Sequence, residues 1–258
     1  MRKLLLVLQF SPGDRDVAFA LTRLIIDLED GVCPYADFMF SAAYGTKHDL
    51  SLVELAKKKF ANVYTHACND AVTGWPAGPN AQIREVVSDV FVGHRDRGWD
   101  YAAFMLMEPD FVPLRKTWIK EIYDEWHHGG SQQILGAWMS SGMFWCYSEH
   151  INGNMLIDPQ FVKDNKFFRT HANGSWDTYQ APIILPKARA SKLIWNDYRI
   201  NSVHNPLPEG VTLEQYLFSA KRYPNNHPLR DQEIHPVYFH GSKGFEAINI
   251  VRKKLLPK

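Results

Sequence analysis

Glu108 and Asp110 stand one residue apart, with Pro109 between them, at the point where the apolar run 101–107 ends. A run of that length is too short for a helix and reads as a buried strand, and in open α/β sheets ligands bind at the strands' carboxyl edge. Two carboxylates at this spacing, on a turn stiffened by proline, can share a hard divalent cation that neutralises a diphosphate. A solvated acidic turn is the plainer reading of the same residues. A second strand exit, 237–239, runs into His240-Gly241-Ser242-Lys243-Gly244. It offers an imidazole, two glycines that let backbone approach a ligand, and a Lys that can meet phosphate as a point charge. Gly-x-Lys-Gly is too loose to be a phosphate loop, and the chain has no Walker pattern.

Two further groups sit between these. Asn152-Gly153-Asn154 after His150 puts two amides and a glycine in what reads as a loop, suited to binding hydroxyls and equally to a tight turn. Trp176-Asp177 sets a carboxylate beside an aromatic face, a way to hold a sugar ring, or else caps a short helix.

These residues need elements to position them. The 258 residues are 45% hydrophobic, enough for one large core, and the formal charge of +1 gives no electrostatic signature for a nucleic-acid or membrane partner. The basic groups 57–59, Arg95 with Arg97, Lys221-Arg222 and 252–254 read as solvated faces. Three widely spaced cysteines, Cys33, Cys68 and Cys146, fit neither a disulfide framework nor a zinc site, so the chain reads as reduced and cytoplasmic. The apolar residues 4–8 lead into Ser11-Pro12-Gly13 without a cleavage site and read as a first strand rather than a signal peptide, and no window has the length of a membrane span.

Strands are predicted at 4–10, 36–43, 61–67 and 101–107, with helices at 16–28, 51–60 and 80–92 between them. That alternation predicts an α/β fold with a mixed, mostly parallel sheet and helices on both faces. A helix at 118–126 and a strand at 132–139 follow, then an irregular, aromatic region. The expectation is one domain over 1–258, with 1–110 nucleotide-fold-like and 111–258 building an acceptor or substrate wall.

In this order, the segments Glu108-Pro109-Asp110, Asn152-Gly153-Asn154, Trp176-Asp177 and His240-Gly241-Ser242-Lys243 resemble the nucleotide-sugar glycosyltransferases of the GT-A fold. The first looks like their DxD motif and the last like their late His-Gly-x-Lys loop. The turn 74–80 is similar to a donor-side loop in some of these enzymes. The resemblance implies Mn²⁺ or Mg²⁺ held by Asp110 and His240, a UDP-sugar donor, and Lys243 on its diphosphate. Glu108, Gly241, Asn80, Asn152, Asn154 and Trp176 would line the donor site, and Asp177 would be the general base of an inverting reaction or a sugar-holding group of a retaining one. Two departures stand out: Glu108 replaces the first Asp of the motif, and Gly244 follows Lys243 without the Pro-Trp of glycogenin-like enzymes. The acceptor is open among a lipopolysaccharide precursor, a protein side chain, a free sugar and, as in some phage enzymes resembling this fold, a hydroxymethylated DNA base. A sugar nucleotidyltransferase and a non-catalytic carbohydrate-binding protein are the alternatives. The nucleotidyltransferase would want a glycine-rich basic loop after the first strand, which 11–15 supplies poorly.

Overall fold

The computed structural model describes residues 2–48, 50–140, 148–165, 174–197, 207–223, 226–242 and 244–256. Its first half alternates as β1 (Leu4–Phe10), α1 (Arg15–Leu28), β2 (Ala36–Ala42), α2 (Leu50–Ala56), β3 (Val63–Ala67), α3 (Ala77–Asp96) and β4 (Ala103–Met107). There follow β5 (Phe111–Pro113), α4 (Trp118–His128), β6 (Ile134–Met139), β7 (His150–Ile157), α5 (Pro159–Asn165), α6 (Trp176–Tyr179), α7 (Ala181–Ile184), β8 (Ala188–Ala190) and β9 (Ile194–Asn196). The chain then runs through α8 (Leu213–Phe218), β10 (Lys221–Arg222), β11 (Glu233–Ile234), β12 (Tyr238–His240) and α9 (Glu246–Leu255).

Seven strands form one sheet in the order β3-β2-β1-β4-β7-β6-β8. The first four run parallel, β7 is antiparallel to both β4 and β6, and β8 is parallel to β6. The continuous apolar strands have the physical cause the sequence implies: alternate residues are buried on opposite faces. Leu4, Leu6, Leu8 and Phe10 of β1 pack with Leu21, Leu24 and Ile25 of α1, whereas Leu5 and Val7 pack with Val86, Val87 and Val90 of α3. The same alternation holds in β4, where Met105 and Met107 face the first layer and Phe104 and Leu106 the second. A smaller sheet, β5-β12-β9, stands beyond the carboxyl end of β4.

The structure corrects several boundaries. The second helix ends at Ala56 rather than at Phe60, and α3 starts at Ala77 and continues to Asp96. The segment Asn152-Gly153-Asn154 is not a loop but part of β7. Its loop-like composition has a cause, because the β6–β7 register passes from Gly136↔Met155 to Trp138↔Ile151, leaving these three residues opposite Ala137. They form a bulge, which breaks the ladder and takes small polar residues well.

His227 ties the 226–234 segment to β6. Its Nδ1 accepts from the Leu229 amide at 2.9 Å, so its Nε2–H donates to the Trp138 carbonyl, also at 2.9 Å. Both nitrogens are thus used by the neutral ring, and burial pulls the imidazole down to about 4. Because the unfolded chain binds this proton more readily, the contribution of His227 is complete above about pH 6.5 and is lost as pH falls through about 4. Thermal melts of His227→Gln should fall less steeply across that window than those of the parent; parallel slopes would exclude His227 as the cause.

Candidate active site

The acidic turn gets its shape from three local features. The Phe111 amide donates to the Glu108 carbonyl at 3.1 Å, closing a β-turn in which Pro109 holds the second position, the place proline favours. The Glu108 amide donates to Asn154 Oδ1 at 2.8 Å, so the β7 bulge fixes the start of the turn. Past Asp110 the chain leaves the large sheet and enters the small one, where β5 pairs with β12 and Phe111 lies opposite His240.

That crossing brings together residues 130 positions apart in the chain. His240 Nε2 lies 3.3 Å from Glu108 Oε2 and 3.3 Å from Asp110 Oδ1. One ligand atom from each of the three residues falls within 4.8 Å of the others. The side chains of His240 and Asp110 are 1% and 4% exposed, while that of Glu108 is 47% exposed. Burial pushes the His240 imidazole down, but the Asp110 carboxylate and then Glu108 outweigh it and raise it to about 9. The electrostatics of the cluster therefore favour positive charge between the carboxylates. Two carboxylates and an imidazole suit Mn²⁺, and with fewer ligands of its preferred type Mg²⁺, so the residues fit the cation the sequence implied.

The cluster borders a cavity of about 1180 Å³ at the carboxyl ends of β1 to β4. Asp14, Tyr44, Trp75 and Asn80 contribute to one side, and His150, Asn152, Gly153, Trp176 and Asp177 to the other. Asp177 is buried and is not the helix cap, which is Ser175. Its Oδ1 accepts from the Thr178 amide at 2.8 Å and from the Ser175 hydroxyl, and its Oδ2 accepts from the Gly153 amide at 3.0 Å. His150 Nε2 lies 3.9 Å from the same Oδ2. A carboxylate has about four lone-pair sites, so three donors fix Asp177 and leave capacity for a ligand hydroxyl.

Asn80 spans the cavity's two sides. Its Nδ2 donates to the Gly174 carbonyl at 2.6 Å and its Oδ1 accepts from the Trp176 amide at 3.1 Å. Trp176 is buried in the second core layer, so it meets the cavity from a packed position rather than as an open platform. Asn152 borders the cavity, whereas Asn154 lies behind the acidic turn. Gly241 has φ +127° and Gly244 φ +86°, values that favour glycine, and Gly244 reaches the cavity. Lys243 lies outside the described residues. Among the described residues the cavity lining carries no Lys or Arg.

No protein-family model and no curated protein sequence matches the chain. Solved structures do. One is an active-site mutant of LgtC, matched over 98% of this chain and 97% of that one at 8% identity, with a TM-score of 0.56. Another is the apo structure of the bifunctional glycosyltransferase WbbM, matched over 100% of this chain and 50% of that one at 10% identity, with a TM-score of 0.56. The fold is GT-A-like. The glycosyltransferase GlyE of Streptococcus pneumoniae TIGR4 is matched over 74% of this chain and 45% of its own, at 6% identity and a TM-score of 0.49. This chain thus spans about half the length of the WbbM and GlyE chains. At these identities the likeness gives the GT-A-like architecture, and the roles of single residues rest on their own geometry.

Two residues of the site carried no sequence signal strong enough to single them out. His150 sits at the first position of β7, where only the register across to Met139 brings it to the cavity. Asn196 ends a three-residue strand in the irregular region, and its place beside His240 depends on the parallel pairing of β9 with β12.

Proposed function

We propose that the protein is a metal-dependent glycosyltransferase that moves a sugar from a UDP-sugar to an acceptor hydroxyl. The observation carrying this reading is the cluster of Glu108, Asp110 and His240 at the edge of a large cavity on the carboxyl side of a GT-A-like sheet. Asp110 and His240 are the buried ligands of Mn²⁺ or Mg²⁺, and Glu108, half exposed, completes the site or meets the donor ribose. When bound, the cation supplies Lewis-acid stabilisation of the charge that develops on the leaving diphosphate. Lys243 is the protein cation assigned to the same diphosphate.

Asn80, Asn152, Gly241 and Trp176 shape the donor side, and Asn154 acts on it through the Glu108 amide. Asp177 faces the transferred sugar. If the reaction inverts the anomeric centre it takes the acceptor's proton, and if it retains, it holds the sugar's hydroxyls. Residues 1–258 form one catalytic unit on this reading, with 1–110 the nucleotide-sugar part and 111–258 the acceptor side. The acceptor is read as a carbohydrate, because Trp75 and Tyr44 are 79% and 43% exposed at the cavity and offer flat apolar faces to a sugar. Duplex DNA bearing a hydroxymethylated base is the other acceptor, and its binding would weaken steeply with salt.

The test is release of UDP from a panel of UDP-sugars, with and without candidate acceptors. Mn²⁺-dependent release from one donor, faster with a saccharide acceptor and insensitive to salt, supports the reading. Release unaffected by chelation would remove the metal from the reaction, and binding of sugar with no turnover of any donor would favour the carbohydrate-binding alternative. A steep salt dependence with modified DNA would move the acceptor to nucleic acid.

A further inference from the structure

His240 has two ring nitrogens, and only one faces the carboxylates. Its Nε2 lies 3.3 Å from both Glu108 and Asp110, while Nδ1 points back into the small sheet against Asn196 Oδ1. From this arrangement, and resting on the metal-site reading above, we infer that Asn196 is the positioning residue that holds His240 as an Nε2 ligand.

The backbone sets up the pair. β9 and β12 run parallel with His240 in register with Asn196, and the next amide, that of Asp197, donates to the His240 carbonyl at 3.0 Å. Both the main chain and the ring of His240 are therefore held from β9. That strand is itself anchored: Tyr216 donates its hydroxyl to Asp197 Oδ2, and the Trp195 indole N–H donates to Tyr216 Oη at 3.2 Å. Asn196 and Asp197 are 1% and 0% exposed, so the anchor is shielded from competing water.

The orientation of the carboxamide decides the tautomer. Asn196 Nδ2 donates to Met139 Sδ at 3.1 Å, which leaves Oδ1 as the atom facing His240. An oxygen accepts, so Nδ1 must carry a hydrogen, and Nε2 is the nitrogen whose lone pair becomes available to a cation. With the amide reversed, Nδ1 would have to accept and the neutral ring would carry its hydrogen on Nε2, facing the carboxylates and closed to metal. Metal-ligating histidines commonly donate their second N–H to an oxygen that fixes the ring. Here the partner is neutral. Glu108 and Asp110 already bring two negative charges, enough to balance a divalent cation, and a third charge buried at Asn196 would be uncompensated. Met139 also borders the cavity, so the Asn196 amide joins the cavity wall to the metal ligand.

The test uses the whole protein with Mn²⁺ or Mg²⁺ alone and no nucleotide. In the Mg²⁺-loaded parent, long-range ¹H–¹⁵N spectra should show His240 with hydrogen on Nδ1; hydrogen on Nε2 would overturn the inference without any variant. Asn196→Ala should weaken Mn²⁺ binding by about 10- to 100-fold and lose the single tautomer. Asn196→Gln, which keeps a neutral carboxamide acceptor, should retain the Nδ1–H form and keep the ring as a ligand even if Asn196→Ala fails to fold. Unchanged Mn²⁺ affinity in a folded Asn196→Ala protein would remove the role from Asn196 while leaving the cluster intact. A parent that binds neither cation would overturn the metal-site reading itself, and the inference with it.

Discussion

Asp110→Asn is expected to lose Mn²⁺ affinity by at least about 100-fold, since even outer-shell partners of a metal site are worth 10- to 100-fold. Metal-dependent binding of UDP should go with it. The effect should be large because Asp110 is the buried carboxylate of the cluster, 4% exposed against 47% for Glu108, and water cannot take its place easily. Asn keeps the shape and removes one charge, so the fold should survive. It also removes the larger of the two attractions that raise His240, which should lower that imidazole from about 9. Calorimetric titration of Mn²⁺ and then UDP, with circular dichroism as the control for folding, checks both parts. Full metal-dependent UDP affinity in a folded Asp110→Asn protein would remove the acidic turn from the donor site.

Asp177→Asn carries the second large effect, and it separates chemistry from architecture. The carboxylate accepts from Ser175, Thr178 and Gly153, so an amide at this position must turn its NH₂ towards at least one donor. A buried group left unpaired costs about 1–3 kcal/mol, a loss that a melting curve reports. A general base costs far more in rate, on the order of 10²-fold or greater in turnover, with UDP and Mn²⁺ affinity unchanged. Turnover reduced to that degree with nucleotide binding intact supports a catalytic Asp177. A lowered melting temperature with normal turnover would leave it as the pin between α6 and the β7 bulge.

The parts of the molecule legible in the sequence are those governed by neighbours in the chain. The strands β1 and β4 are apolar throughout except for Gln9 because both of their faces are covered, while β2 carries the apolar stretch Phe38-Met39-Phe40 between Asp37 and Ser41. Glu108 and Asp110 follow directly from where β4 stops. Asn152-Gly153-Asn154 reads as a loop in the sequence, and only the register with β6 shows it to be a bulge. Trp176 reads from the sequence as a sugar platform, yet its ring is buried in the second core layer with Ile151, Met155 and Ile184. Asn196 was illegible for a different reason. Its meaning depends on a parallel pairing between strands of three residues each, separated by more than forty positions, and nothing local encodes that partnership.

The central claim is that Glu108, Asp110 and His240 bind a divalent cation that the donor nucleotide needs. Calorimetric titration of UDP into the purified protein, first with Mn²⁺ and then with excess EDTA, addresses it most directly. Binding in Mn²⁺ that disappears on chelation is the predicted result. Equal binding in both conditions, or none in either, would contradict the claim.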